Sequence, residues 1–365
     1  MNLKKFLGAV GAVAALALSG PALAQNKTVN VYNWVDYIGE TTLQDFEKAT
    51  GIKPNYSVFS SLEELEAKLL TGNSGYDVIV PTAEPTLSKL IQAKAVRKLD
   101  KSKIPNLKNL DPELSKLVEG TDPGNEYAAI YQWGTIGIGY NAEMVKKVAP
   151  DVDMTSWDAI FKPENAAKLA KCGIVFLDSQ TDMLPTVYHY LKLDPNSEKA
   201  EDLKKVEETM LGVRPHIRAF VDSIIDPLAT GQACVGIGYS GDVFQAAARA
   251  EEAKNGATIE YVIPKEGAQV WFDVMAIPVD APNADAAHAW INYMLEPQTM
   301  AGISNFVAYA NAVPASWPLM DEGVAKNPKI FPPADVKKNL FTVKQISPRA
   351  DRDRTRSWTR IQTGK

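Results

Sequence analysis

Val29-Asn30-Val31-Tyr32-Asn33-Trp34-Val35-Asp36-Tyr37-Ile38 alternates up to Tyr32, then places an indole, a carboxylate and a phenol within four residues. The alternation predicts a β-strand. The three side chains fall where that strand must end. In an open α/β sheet, the carboxyl edge of the strands is where ligands bind. Trp34 and Tyr37 offer π faces and Asp36 a negative charge, which suits an organic cation with an apolar body. The same residues also suit core aromatics beside a helix-capping Asp, so this stretch alone leaves both readings open.

Working outward, Thr41-Thr42-Leu43-Gln44 has the form of a capping box, and Gly51 with Pro54 closes the helix that follows. A strand is expected over 53–58. Ser60-Ser61-Leu62-Glu63-Glu64 caps a second helix with Leu62, Leu65 and Leu69 on one face, and Tyr76-Asp77-Val78-Ile79-Val80 reads as a short covered strand. The order β-α-β-α-β predicts an α/β wound lobe. A helix is expected over 84–98 and a surface-wrapping stretch over 99–125. Strand-like runs over 127–131 and 135–140, around Trp133-Gly134, suggest a crossing into a second lobe.

That lobe repeats the pattern. Helices are expected over 157–169, 183–191, 200–211 and 243–254, with strands over 172–177, 233–238 and 258–263. A return crossing then leads to a strand over 271–278 and a helix over 282–295. The charged tail Arg349-Ala350-Asp351-Arg352-Asp353-Arg354-Thr355-Arg356 reads as a solvated face. The fold class expected is α/β and bilobal, with two lobes joined by crossover hinge strands and a ligand in the cleft. The segments are 27–135 with 260–312 for the first lobe, and 136–259 with 313–365 for the second. Strands shared by two lobes make a hinge that can close around a ligand.

The chain has 365 residues, 45% hydrophobic and 23% charged, as befits a soluble globular protein with room for two cores. Its first 24 residues differ. Lys4-Lys5 precede an apolar run from Phe6 to Leu18 and the small-residue site Ala22-Leu23-Ala24. This is a secretory signal peptide, with the mature chain beginning at Gln25 and no membrane insertion expected. Without it, 37 basic face 44 acidic residues, a net charge of −7. That opposes nucleic acid and anionic membranes as partners and favours cationic ligands. Export favours a disulfide between the only cysteines, Cys172 and Cys234, with two separately buried thiols as the alternative. Two Cys and three scattered His make no metal-ligand cluster, and no cofactor is expected.

Asp36, Asp182, Asp242 and Asp273 lie at the ends or starts of apolar strands, accompanied by Trp34, Tyr37, Tyr239, Trp271 and Tyr309. A diamine or triamine needs such a set. Carboxylates take its ammonium groups through charge-assisted hydrogen bonds, and aromatic rings wall its methylenes. Gly236-Ile237-Gly238-Tyr239-Ser240-Gly241 spells the dinucleotide fingerprint, but Asp242 at the helix start would repel a pyrophosphate. Ser240 is one residue short of a hydrolase elbow. An acid/base pair of Asp36 and Asp242 in an exported enzyme is the rival reading.

The chain resembles the periplasmic spermidine/putrescine-binding proteins of ABC importers over nearly all of its mature length. The resemblance rests on residues 32–38, 74–81, 133–141, 263–268, Gly238-Tyr239-Ser240-Gly241-Asp242-Val243 and Trp271-Phe272-Asp273. It implies a non-enzymatic, monomeric receptor that binds a polyamine in the cleft and delivers it to permease subunits of the importer. By position it implies Trp34, Asp36, Tyr37, Thr82, Asp182, Tyr239, Asp242, Trp271, Asp273 and Tyr309 as ligand contacts, and a Cys172–Cys234 disulfide. Val35, Thr82, Glu84 and Asp222 depart from the family pattern and bear on which amine fits. Trp271 resembles the spermidine-type members, which favours spermidine slightly over putrescine. Cadaverine and agmatine are the alternatives.

Overall fold

The computed structural model describes residues 27–364, so the expected signal peptide over 1–24 lies outside the described residues. Strand β1 (Thr28–Trp34) runs parallel to β2 (Lys53–Phe59) and to β3 (Val78–Ile79). Between β1 and β2, the helix Thr42–Thr50 buries Phe46 and ends at Gly51, whose φ of 70° is the left-handed cap that glycine takes without strain. Thr41 does not cap the backbone; its hydroxyl donates to Asp45. Ser61 does cap its helix, accepting from the Glu64 N–H at 3.1 Å, while the Glu64 carboxylate accepts from the Ser60 N–H.

The helix expected over 84–98 is broken. A tight turn over Ala83–Leu87 leads to a short helix Ser88–Gln92, then β4 (Val96–Arg97). Glu84 is extended, at φ −118° and ψ 134°, because the ring of Pro85 disfavours the helical region for the residue before it. The runs expected on either side of Trp133-Gly134 form one strand, β5 (Ala128–Asn141). The helix expected over 157–169 breaks at Lys162, where Pro163 starts a second segment.

The second lobe contains β6 (Ile174–Leu177), β7 (Ile217–Val221), β8 (Val235–Tyr239) and β9 (Ile259–Val262). The chain then returns through β10 (Val270–Pro278) and β11 (Ala310–Asn311) to the first lobe. One sheet path, β2-β1-β3-β10-β5-β8-β6-β7, runs through both lobes. Strand β5 is its pivot: residues up to Thr135 pair with β10, and those from Ile136 pair with β8. Cys172 and Cys234, at the entries to β6 and β8, are joined in a disulfide.

Two expected segment boundaries shift. Residues 260–262, expected in the first lobe, lie in β9, which pairs with Ile138–Asn141 in the second-lobe half of β5. The return therefore lies after it, around 264–269. Residues 313–331, expected in the second lobe, reach the first: Phe331 packs edge-on against Trp133 and Ile330 joins the first lobe's core. The charged tail is also not a solvated face. It forms the helix Pro348–Thr363, with Ala350, Arg354, Ser357, Trp358 and Ile361 buried against the helices Gln180–Tyr190 and Ala200–Val213. Its inward stripe has helical spacing but includes an Arg and a Ser, which hides it from hydropathy.

A further stretch touches both lobes. The Phe341 N–H donates to Ala268 O and the Val270 N–H to Phe341 O, at the return crossing. The Lys344 N–H donates to Asn196 in the second lobe, and the Gln345 N–H to Glu84 in the first.

Candidate ligand-binding site

Strand β1 ends at Trp34, and Asp36 turns the chain with a φ of 53°. The turn is held from below. The buried Asn33 amide and the Tyr131 hydroxyl both donate to the carbonyl of Tyr37. The Tyr37 ring is thereby buried under the cleft. In β10, Trp271 and Asp273 share a face by the two-residue period of a strand. The ladder to β5 slips immediately after Asp273, the kind of irregularity that re-aims a side chain. The Thr82 hydroxyl donates to Asp273 at 2.7 Å.

From the second lobe, Asp182 sits in the first turn of the helix Gln180–Tyr190. It accepts from Ser179 at 2.7 Å, Tyr239 at 2.8 Å and Gln269 at 2.9 Å. Asp242 lies in the first turn of the helix Ser240–Glu252, a favourable place for a carboxylate. It accepts from the Tyr309 hydroxyl of the opposite lobe at 2.7 Å.

Aromatic rings run continuously across the cleft. Tyr37 meets Tyr309 at 5.2 Å, Tyr309 meets Trp271 at 5.3 Å, and Trp271 meets Tyr239 at 5.6 Å, all edge to face. Glycines make this packing fit. A Cβ on Gly134 would stand 2.6 Å from the Trp271 ring, and one on Gly241 would overlap the Tyr309 ring. Gly241 of the fingerprint-like run thus admits an aromatic ring.

All ten residues expected from the sequence line one pocket between the lobes. They do not form one uniform set. Asp182 and Asp273 are buried and Asp242 is half-buried. Asp36 is exposed and is paired across the cleft with Arg249 at 3.1 Å, which also holds Asp226 at 2.8 Å. Arg249 thus stands at the rim of the cleft. Among the described residues, Asp182, Asp242 and Asp273 have no cationic partner.

Burial therefore dominates their proton affinities. It pushes Asp273 up to about 7, against the hydroxyls of Thr82 and Tyr37, and the Asp182 charge adds to the rise. It lifts Asp242 to about 6, with Tyr309 and Arg249 pulling down and Asp36 pushing up. Asp182 is raised by burial against its three donors.

Sequence reasoning missed Gln269 and Val343, both buried in the cavity wall. Neither carries a local signal; each reaches the cleft from a connection between lobes. Of the departures, Val35 stands exposed at the rim and Asp222 lines the wall. Glu84 also lines it, and accepts from Ser88, Thr121 and the Gln345 N–H.

Residues 41–332 match the family described as bacterial extracellular solute-binding protein. The chain is 49% identical to the putrescine-binding periplasmic protein PotF of Escherichia coli (strain K12), covering 99% of each. It is also 49% identical to the putrescine-binding periplasmic protein SpuD of Pseudomonas aeruginosa, over 97% of this chain and 96% of that one. In structure it resembles a putative spermidine/putrescine ABC transporter protein from Listeria monocytogenes. The TM-score is 0.83 at 31% identity, over 93% of this chain and 100% of that one. The two α/β lobes, the shared strand β5 and the cleft between them are the architecture of these binding proteins, and the chain belongs to the bacterial extracellular solute-binding protein family.

Proposed function

We propose that this protein is a periplasmic receptor that binds a linear aliphatic polyamine in the interlobe cleft and hands it to an ABC importer. One observation carries the reading. Three carboxylates, Asp182, Asp242 and Asp273, face an aromatic-walled cavity without a cation of their own. Two ammonium groups joined by methylenes would supply the missing charge and fill the apolar middle. Asp242 comes from the second lobe and Asp273 from the first, so a bound diamine would hold the lobes together. The monomer is the functional unit in this reading.

Putrescine is the ligand to expect first, supported by the binding named for the two relatives at 49% identity. Spermidine rests on Trp271 and on the spermidine/putrescine transporter protein at 31% identity, and stands second, with cadaverine and agmatine behind it. The indole N–H groups of Trp34 and Trp271 have no partner among the described residues and cannot be met by an ammonium, so bound water is expected to accompany the ligand. The enzymatic alternative pairs Asp36 with Asp242, and it is disfavoured because Asp36 is held in an ion pair with Arg249.

Calorimetric titration of ligand-stripped protein at pH 8 tests the reading, with putrescine, cadaverine, agmatine, spermidine and a neutral amino acid. Tight binding of one amine, recovered unchanged, is the expected result. Binding of none of them, or turnover of the bound amine, would overturn it.

The glycine at 241 gives a second check. Gly241→Ala puts a methyl group into the Tyr309 ring, while alanine suits a helix better than glycine. The overlap should cost closure about 1–2 kcal/mol, at the lower end for overpacking. Amine binding should therefore weaken roughly 5- to 30-fold, and because the ring already stands against Gly241 without ligand, the unfolding temperature of the empty protein should fall as well. Unchanged affinity would mean that Tyr309 does not approach Gly241 when ligand is bound.

A further inference from the structure

We infer that Gln269 reads the ligand's end group, its side-chain carbonyl accepting an N–H while its amide N–H₂ fixes the neighbouring carboxylate of Asp182. The inference deepens the polyamine reading and rests on it. Gln269 is 2% exposed and lines the cleft. Its Nε2 donates to Asp182 Oδ1 at 2.9 Å. An ionised carboxylate only accepts, so this bond settles which end of the amide is nitrogen. The other end, Oε1, is buried with no hydrogen-bond partner among the described residues. Buried polar atoms are nearly always satisfied, and one left open in a cavity wall marks a place where a donor is to come.

Asp182 sharpens the point. A carboxylate has about four acceptor sites, and Ser179, Tyr239 and Gln269 take up three. The remaining site and Gln269 Oε1 form a pair of acceptors for one group. An ammonium carries three N–H donors and can serve both. A dimethylated ammonium keeps only one N–H, and a carboxylate would be repelled by both. The pair therefore selects an end group with at least two N–H bonds, as a primary ammonium or a guanidinium has.

The residue is also held in place by its backbone. Its carbonyl accepts from the Ile136 N–H at 3.0 Å, where β5 changes partners. It bridges Phe341, and the flanking Ala268 and Val270 bond Phe341 from either side. The reading group is thus carried by the return crossing between the lobes, at a point fixed on two sides.

A cycle of residue against ligand tests this. Binding of putrescine and of its N,N,N′,N′-tetramethyl derivative is measured for the wild-type protein and for Gln269→Met. The variant should bind putrescine about 10- to 100-fold more weakly, as expected for losing an acceptor to a charged donor. The methylation penalty should be at least several-fold smaller in the variant than in the wild type, because the steric cost is common to both and cancels. A purely structural Gln269 would weaken both ligands equally. Gln269→Asn is the second variant, with the unfolding temperatures of both checking that they fold. Equal methylation penalties, or unchanged putrescine affinity, would overturn the inference while leaving the receptor reading intact. A wild-type protein that binds no amine would overturn the receptor reading itself, and this inference with it.

Discussion

Asp273→Asn and Asp242→Asn each lose amine binding by roughly 150- to 5000-fold, and each makes the empty protein more stable at pH 8. These two outcomes are expected together, for one reason. Each carboxylate is withdrawn from water without a cation of its own, so its charge destabilises the empty cleft. Asparagine keeps the shape and the acceptor oxygen facing Thr82 or Tyr309 and removes the charge. The empty protein is relieved, with about 2–4 °C of added unfolding temperature for each kcal/mol in a domain of moderate size. The ligand, however, would now bury an ammonium without its counter-charge, which costs about 3–5 kcal/mol and sets the affinity loss given above. Paired thermal unfolding and calorimetry check both halves. Lost binding with lowered stability would make these aspartates structural, and unchanged binding would remove them from the site.

Asp182 should behave differently. Its two oxygens accept from Ser179, Tyr239 and Gln269. An amide there would set its own N–H₂ against one of these donors, so Asp182→Asn should lower stability as well as affinity. The contrast separates carboxylates held ready for a ligand from one already bonded into the wall.

Much of this was legible in the chain. The winding of the first lobe follows from alternation, helix faces and end signals such as Ser61 and Gly51, all local features. The strand-end positions of Asp36, Asp182, Asp242 and Asp273 pointed to one edge, and the residues do converge on one cavity. What was not legible is what depends on distant partners. Arg249 lies 213 residues from Asp36, and no pattern in either segment announces the pair. Gln269 is set by its contact with Asp182, and Val343 by the stretch that runs from the return crossing to both lobes. The C-terminal helix was concealed because its inward face includes Arg354, which donates to the Pro195 and Ser197 carbonyls. Composition marks such a residue as solvated, and only the packing shows where it goes.

Amine affinity should fall about 100-fold between pH 8 and pH 5.5, with protons released on binding at the lower pH. In the empty cleft, Asp273 titrates at about 7 and Asp242 at about 6, both raised by burial. An ammonium placed against them restores a counter-charge and returns both carboxyls to ionised form below pH 5.5. At pH 8 both are already ionised, so binding moves no protons. At pH 5.5 both are mostly protonated, and the ligand must displace nearly two protons, which gives the stated loss by linkage. Stability of the empty protein runs the other way. Between about pH 4 and pH 7 the folded chain holds more protons on these groups than the unfolded chain does. Their contribution therefore falls as pH rises through that window. Titrations in two buffers of different ionisation enthalpy count the protons directly. An affinity that stays level from pH 5.5 to 8 would mean that the aspartates are ionised before the ligand arrives, and so that water reaches them in the empty cleft. Release of one to two protons at the lower pH would instead fit a cleft that stays dry and uncompensated until the amine enters.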